Sequence, residues 1–161
     1  MRRSLQRIIA MLVLLLAFSI ATIVTLNMFS HPPHGLGLVG GRLSECPDSP
    51  NCVSSQSERE SQSLPPIPFF GTTVEAVANL KRVVNAMPRN RLVTEDSGYL
   101  HYEFRSFLFR FVDDVELLVD ESKSAIHFRS ASRVGYSDFG VNRRRMEEIR
   151  TRFIEATRGS D

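Results

Sequence analysis

The residues of this chain best suited to chemistry lie in one run, R-S-A-S-R-V-G-Y-S-D-F-G-V-N-R-R-R, from Arg129 to Arg145. It gathers five arginines, three serines, a tyrosine, an aspartate and an asparagine at the junction of an expected strand and an expected helix. Helix N-terminal amides with Ser132, Arg133, Tyr136, Asn142 and Arg143 nearby would suit an anion. The competing reading is that Arg133 and Asn142 tie the strand end to the helix start, because buried polar groups need partners in either case. Arg143-Arg144-Arg145 stands at the helix end where the dipole disfavours cations, so compensation is expected from Asp113, Asp114 or an anionic ligand.

Asp113 and Asp114 are neighbours on an expected strand, so they point to opposite faces and do not share a proton. A structural role paired with Arg129 or Arg133 is the expectation. Arg129 lies across from Glu116 in the expected register, as a cross-strand ion pair worth about a few tenths of a kcal/mol. No catalytic triad is evident. His127 could act as a base with Ser130 or Ser132, but nothing supplies a third member. Catalytic residues stay unknown, and no cofactor is expected.

Cys46 and Cys52 enclose C-P-D-S-P-N-C, a turn-rich loop whose ends can meet. A disulfide is the simplest outcome in an oxidising compartment. Free thiols, redox chemistry and a metal site sharing His31 and His34 are the alternatives.

The compartment follows from the N-terminus. Ile8 to Leu26 carries no charge and is about as long as a helix must be to cross hydrocarbon. Arg2, Arg3 and Arg7 precede it, which places the N-terminus in the cytoplasm and the rest beyond the membrane. Ser19-Ile20-Ala21 offers a signal-peptide cleavage site, but the apolar run continues past it through Leu26, so an uncleaved signal-anchor is favoured. The expected organisation is a membrane anchor over 1–30, a Pro/Gly-rich tether over 31–45 with no strong fold of its own, and a globular domain over 46–158. Net charge is +2, and Arg2, Arg3, Arg7 and Arg42 are the charged residues of the first 42. The exported part is therefore slightly acidic, which argues against a nucleic-acid binder.

Six elements must position the polar run. Thr72 with Glu75 fits a capping box, and Val77, Leu80, Val84 and Met87 follow at helical spacing until Pro88. Strands are expected at Arg91–Asp96, Tyr99–Arg105, Asp113–Val119 and Ala125–Ser130, with a bulge or bend between Phe107 and Val112. Matching apolar faces pairs Leu117 with Phe128, Glu116 with Arg129, Leu118 with His127 and Asp113 with Ser132. A last helix from about Asp138 to Thr157 would bury Phe139, Asn142, Met146, Ile149, Phe153 and Ala156, with Ser137 or Asp138 as cap. With eleven phenylalanines and no tryptophan, Phe supplies most of the aromatic core. The expected fold is α+β: a transmembrane helix, then a four-stranded antiparallel meander flanked by two helices on one face.

Three segments, G-R-L-S-E-C-P-D-S-P-N-C-V-S-S-Q, F-V-D-D-V-E and R-S-A-S-R-V-G-Y-S-D-F-G-V-N-R-R-R, resemble in this order the family known as domain of unknown function 1499. The resemblance spans about Gly35 to Phe153. It implies a bacterial and plastid family, often with an N-terminal membrane or export segment, and brings no accepted activity, cofactor or catalytic residue. Its pattern draws attention to Cys46, Pro47, Pro50, Asn51, Cys52, Ser54, Ser55, Asp113, Asp114, Arg129, Ser130, Ser132, Arg133, Gly135, Tyr136, Asp138, Gly140, Asn142 and Arg144.

The combined expectation is a membrane-anchored extracytoplasmic binding or accessory domain, periplasmic in a Gram-negative cell. Its polar cleft would be lined by Asn51, Ser54, Asp113, Asp114, Arg129, Ser132, Arg133, Tyr136, Asn142 and Arg143. The expected partners are the bilayer, through the N-terminal helix, and an anionic small molecule or lipid headgroup. A Ser- or Cys-dependent hydrolase and a purely structural interaction module are the alternatives.

Overall fold

Every residue from Tyr99 to Phe104 and from Val112 to Leu117 is buried, charged and apolar alike. A sheet with one solvated face would bury alternate residues only, so both faces of this one are covered. In the computed structural model, which describes residues 2–28, 30–33 and 35–158, helices cover one face and the N-terminal segment reaches across the other.

The expected meander is present: β5 (Asn90–Asp96), β6 (Tyr99–Arg105), β7 (Val112–Asp120) and β8 (Ala125–Ser132) pair antiparallel in sequence order. The expected register of β7 on β8 holds at each inferred pair, Leu117 with Phe128, Glu116 with Arg129, Leu118 with His127 and Asp113 with Ser132. The sheet has six strands, not the four expected. β3 (Cys52–Ser54) and β4 (Ile67–Pro68) both pair with the outer edge of β8, at Arg129–Ala131 and at Ala125–Ile126. Strands of three and two residues show no measurable alternation. Pro68 is tolerated because β4 is an edge strand. The bulge expected between Phe107 and Val112 is a loop, with Ser106 N–H donating to the Phe111 carbonyl at 2.9 Å.

The segment read as an unstructured tether contains a short hairpin of β1 (Leu38–Val39) and β2 (Arg42–Leu43), with Leu43 buried. Gly37 N–H donates to Glu116 Oε1 at 2.7 Å, which draws this segment onto the sheet.

Helix α2 (Thr73–Asn85) opens on the expected Thr72/Glu75 capping box. Helix α3 (Val141–Arg158) begins later than expected. Phe139 takes a left-handed φ of 53° and stays outside the helix, 86% exposed, and so leaves the buried stripe assigned to it. Both helices press Ala76, Leu80, Val84, Met146, Ile149 and Phe153 onto Leu100, Tyr102, Phe104, Val115, Leu117, Ile126 and Phe128.

Helix α1 spans Arg2–Met28, 27 residues. At about 1.5 Å per residue it is on the order of 40 Å long, and its leucines and, Ile20 apart, its isoleucines are exposed. It is long and apolar enough to cross a membrane.

Cys46 and Cys52 form a disulfide that closes the loop ahead of β3. With both thiols joined, the metal and free-thiol alternatives lose their sulfur; His34, the other ligand considered with His31, lies outside the described residues. A Cys46→Ser, Cys52→Ser double variant should unfold at lower denaturant by about 2 kcal/mol, the effect of closing a short loop in the unfolded chain. Unchanged chemical denaturation would show that the bridge does not constrain the fold.

Candidate functional site

Adjacent strand residues face opposite ways, and β7 sends its two aspartates into two separate polar layers. Asp113 faces the helices. Arg145 Nη2 donates to Asp113 Oδ2 at 2.6 Å, while the guanidinium lies 4.7 Å from the Phe104 ring centroid. Arg145 Nη1 donates to Asn142 Oδ1 at 2.6 Å, and the same oxygen accepts from Ser130 Oγ at 2.5 Å. Asn142 Nδ2 donates to the Asn51 carbonyl at 3.1 Å and to Ser132 Oγ at 3.0 Å. The buried amide thus uses two donors and two acceptor positions, its full capacity. Asp138 Oδ2 accepts from Asn142 N–H at 2.6 Å, so Asp138 caps the helix as expected.

Asp114 faces the other way, into a layer organised by Arg133. The Arg133 side chain is 3% exposed, and its Nη2 donates to Glu103 Oε1 at 2.6 Å and Asp114 Oδ1 at 2.7 Å. Nε donates to Asp114 Oδ2 at 2.8 Å, and Nη1 to the Ser30 carbonyl at 2.9 Å. His101 Nε2 lies 2.8 Å from Asp114 Oδ1. Beside them Arg129 Nη1 donates to Glu116 Oε2 at 3.0 Å, and Tyr99 Oη donates to Glu116 Oε1 at 2.8 Å. That Arg129–Glu116 pair is buried, so the few tenths of a kcal/mol expected for an exposed pair does not apply.

Burial alone would raise the carboxyls of Asp114 and Glu103. Hydrogen bonds and charge from Arg133, with His101 on Asp114 and Arg91 on Glu103, overcome it and hold both below the usual carboxylate range. Burial, reinforced by Glu116, pushes the Tyr99 hydroxyl up, so it stays a donor.

The residues expected to line one cleft are therefore divided. Asn51, Asp113, Ser132 and Asn142 meet on the helix side, and Asp114, Arg129 and Arg133 on the opposite side. Arg143 leaves both groups and donates to the Ser61 carbonyl at 2.8 Å. Ser54 Oγ accepts from Gln56 N–H at 3.1 Å, and Tyr136 is 77% exposed. Arg145 meets Asp113, one of the compensations expected for the arginine run, whereas Glu103, His101 and Tyr99 were not foreseen as participants. Glu103 was legible: it lies across from Asp114 in β6–β7, and facing carboxylates require a cation between them.

Ser55 Oγ lies 3.2 Å from His127 Nδ1, and His127 Nε2 lies 3.8 Å from Asp120 Oδ2. The same hydroxyl accepts from Phe128 N–H at 2.9 Å, and Ser55 N–H donates to the Phe128 carbonyl at 2.9 Å. Ser55 thereby extends the pairing of β3 with β8. Burial, with Lys123 nearby, lowers the His127 pKa and keeps the ring neutral near pH 7.

A cavity of about 380 Å³ opens between the α2–β5 turn, the β6–β7 loop and the start of α3. Asp113, Arg145 and Phe104 are among its lining residues, with Arg89, Arg105 and Arg144. Arg145 and Arg105 are paired with Asp113 and Glu103. Arg89 and Arg144 donate to the Arg105 and Phe139 carbonyls, and among the described residues neither meets a carboxylate. A second cavity of about 200 Å³ lies beside the disulfide loop, where Arg59 is already paired with Asp48 at 2.5 Å.

Fold and site together define an α+β domain with two closed polar layers, joined to an N-terminal helix of membrane-spanning length. The chain belongs to the family described as protein of unknown function (DUF1499), whose model matches residues 42–153. No curated protein and no solved structure matches the chain.

Arg133→Ala should cost about 3–5 kcal/mol near neutral pH, with no ligand present, because two buried carboxylates lose their cation. The folded pKa values of Asp114 and Glu103 are depressed, so the unfolded state binds more protons and wild-type stability falls as pH drops below the ordinary values of 3.8 and 4.5. The variant lacks much of that depression, so its deficit should shrink in acid. Denaturant titrations across pH check this, and a deficit independent of pH would contradict the assignment.

Proposed function

We propose that this protein is a single-pass signal-anchored domain held on the extracytoplasmic side of a membrane, periplasmic in a Gram-negative cell. Its role is that of a binding or accessory module, not a catalyst. Its ligand is anionic, a phosphate-bearing small molecule or a lipid headgroup, taken into the cavity walled by Asp113 and Arg145. The observation that carries this reading is the pair Arg89 and Arg144, two guanidiniums at one cavity whose hydrogen bonds go only to carbonyl oxygens among the described residues. Guanidinium forks match phosphate and carboxylate oxygens. The anchor reading is supported by the arginines ahead of the uncharged run Ile8–Leu26 of α1 and by the disulfide in the domain that follows it.

This places the ligand apart from most of the residues first suspected. Asn51, Ser132, Arg133, Asn142 and Arg143 spend their hydrogen bonds inside the protein, as the structural-module reading expects of them. A hydrolase is the weaker reading. Its cysteine form lacks a thiol, and its serine form expected His127 beside Ser130 or Ser132, which instead bond Asn142, while His127 meets Ser55, whose hydroxyl the backbone already occupies.

Thermal unfolding of the full chain in nanodiscs tests the cavity. Inorganic phosphate should stabilise it progressively, as a ligand bound only to the folded state must. Chloride at matched ionic strength should not, and an Arg89→Gln, Arg144→Gln double variant should lose the phosphate response. Equal shifts with both salts, or an undiminished response in the variant, would contradict the proposal.

A further inference from the structure

The end of the sheet that holds this cavity also exposes most of the aromatic side chains the fold leaves uncovered. Phe107 is 80% exposed, Tyr136 77% and Phe139 86%, with Leu108, Phe111, Val134 and Val141 beside them in sequence and also exposed. Apart from Val141, the first residue of α3, they occupy two loops, 106–111 after β6 and 133–140 after β8. Both loops leave the same edge, because Arg105 pairs with Val112 and Asp113 with Ser132.

The local conformation presents these side chains at a cost. Phe139 adopts a φ of 53° and Arg110 a φ of 58°, conformations that residues with a Cβ seldom take. Arg144 Nη1 donates to the Phe139 carbonyl at 2.9 Å and fixes the turn that projects the ring outward. Folding alone gains nothing from holding a phenylalanine in water, so another apolar surface is needed to account for it.

The same edge is where α1 joins the domain. Asn27, in the last turn of that helix, is buried, and its Nδ2 donates to the Phe109 carbonyl at 3.2 Å. Arg133 holds the Ser30 carbonyl just beyond. The centre of the 106–111 loop is thus in contact with the end of the span, at the depth where an apolar helix leaves hydrocarbon for headgroups. Aromatic rings concentrate at that depth on both sides of a bilayer, and a long arginine side chain there can lay its stem on apolar surface and extend its cation to headgroup phosphates. Arg89 stacks 5.9 Å from the Phe107 ring centroid and supplies such a pair.

We infer that loops 106–111 and 133–140 dock on the bilayer interface, inserting Phe107, Leu108, Tyr136 and Phe139 among the headgroups beside the exit of α1. The domain then stands with this sheet edge on the membrane and its cavity open to the headgroup layer. The inference rests on the anchor part of the proposed function and not on the anion site.

The chain has no tryptophan, so single substitutions give unambiguous reporters in nanodiscs of phosphatidylethanolamine and phosphatidylglycerol. Phe107→Trp and Phe139→Trp test the loops. Phe70→Trp is the control, 94% exposed beside the β7–β8 turn at the opposite end of the strands, on the order of 25 Å away. Leu14→Trp, within α1, reports the span by itself. Lipids brominated on their acyl chains should quench L14W, F107W and F139W, with loop emission shifted to the blue of F70W and F70W unquenched. Loop emission that matches F70W would overturn the docking while a quenched L14W leaves the anchor standing. Blue-shifted but unquenched loop emission would mean burial against protein, and also overturns it. An unquenched L14W would overturn both anchor and docking.

Discussion

A guanidinium that has lost its water can persist only where its donors meet compensating oxygens, and Arg133 satisfies that condition with residues from three distant parts of the chain. Glu103 comes from β6, Asp114 from β7 and the Ser30 carbonyl from the segment after α1. The two carboxylates face each other across adjacent strands and would repel without it. One ion-pair cluster therefore fixes the β6–β7 register on the face away from the helices and fastens the exit of the N-terminal helix to the sheet. This is why that face can carry His101, Glu103, Asp114, Glu116 and Arg129 and still be buried. A buried ion cluster is weak evidence of net stability, but a strong reason for the strands and the N-terminal segment to meet in one arrangement.

The helix side solves a related problem with neutral groups. Asn142 lies in the first turn of α3, where a polar residue on a buried stripe demands partners. It finds them in Ser130, Ser132, Arg145 and the Asn51 carbonyl, thereby joining helix, central strand and disulfide loop. Arg145 crowds toward a helix N-terminus against the dipole, and Asp113 offsets its charge. The family's conspicuous motifs thus account for two internal layers before any ligand is considered. What remains outside them is at one edge: the cavity with Arg89 and Arg144, and the aromatic loops beside α1.

Much of the domain was legible because long periodic segments leave little choice. The meander, the β7–β8 register, the first helix and its cap followed from alternation and from Thr72 and Glu75. The short strands were not, because Cys52–Ser54 and Ile67–Pro68 acquire their state from the edge of β8 and not from their own pattern. The start of α3 was misplaced because Phe139 fits a helical stripe by spacing alone, while the left-handed turn at Phe139 and Gly140 delays the helix to Val141. The expected single cleft failed for a reason the sequence contained. Asp113 and Asp114 must point apart, so residues drawn to one could not also gather around the other. The docking of Ser30 and Gly37 was hidden for a different reason, since glycine-rich composition conceals a segment whose partners are buried charges elsewhere.

This N-terminal segment is part of the folded body, held by Arg133 and Glu116, and not a loose tether ahead of the domain. Amide hydrogen exchange of the full chain in nanodiscs reads it directly at Gly37, whose N–H donates to Glu116, and along the β1–β2 hairpin. Gly37 should exchange orders of magnitude more slowly than an unstructured glycine, with protection approaching that of the β6 and β7 amides. Exchange at the rate of a free peptide, while β6 and β7 stay protected, would contradict it.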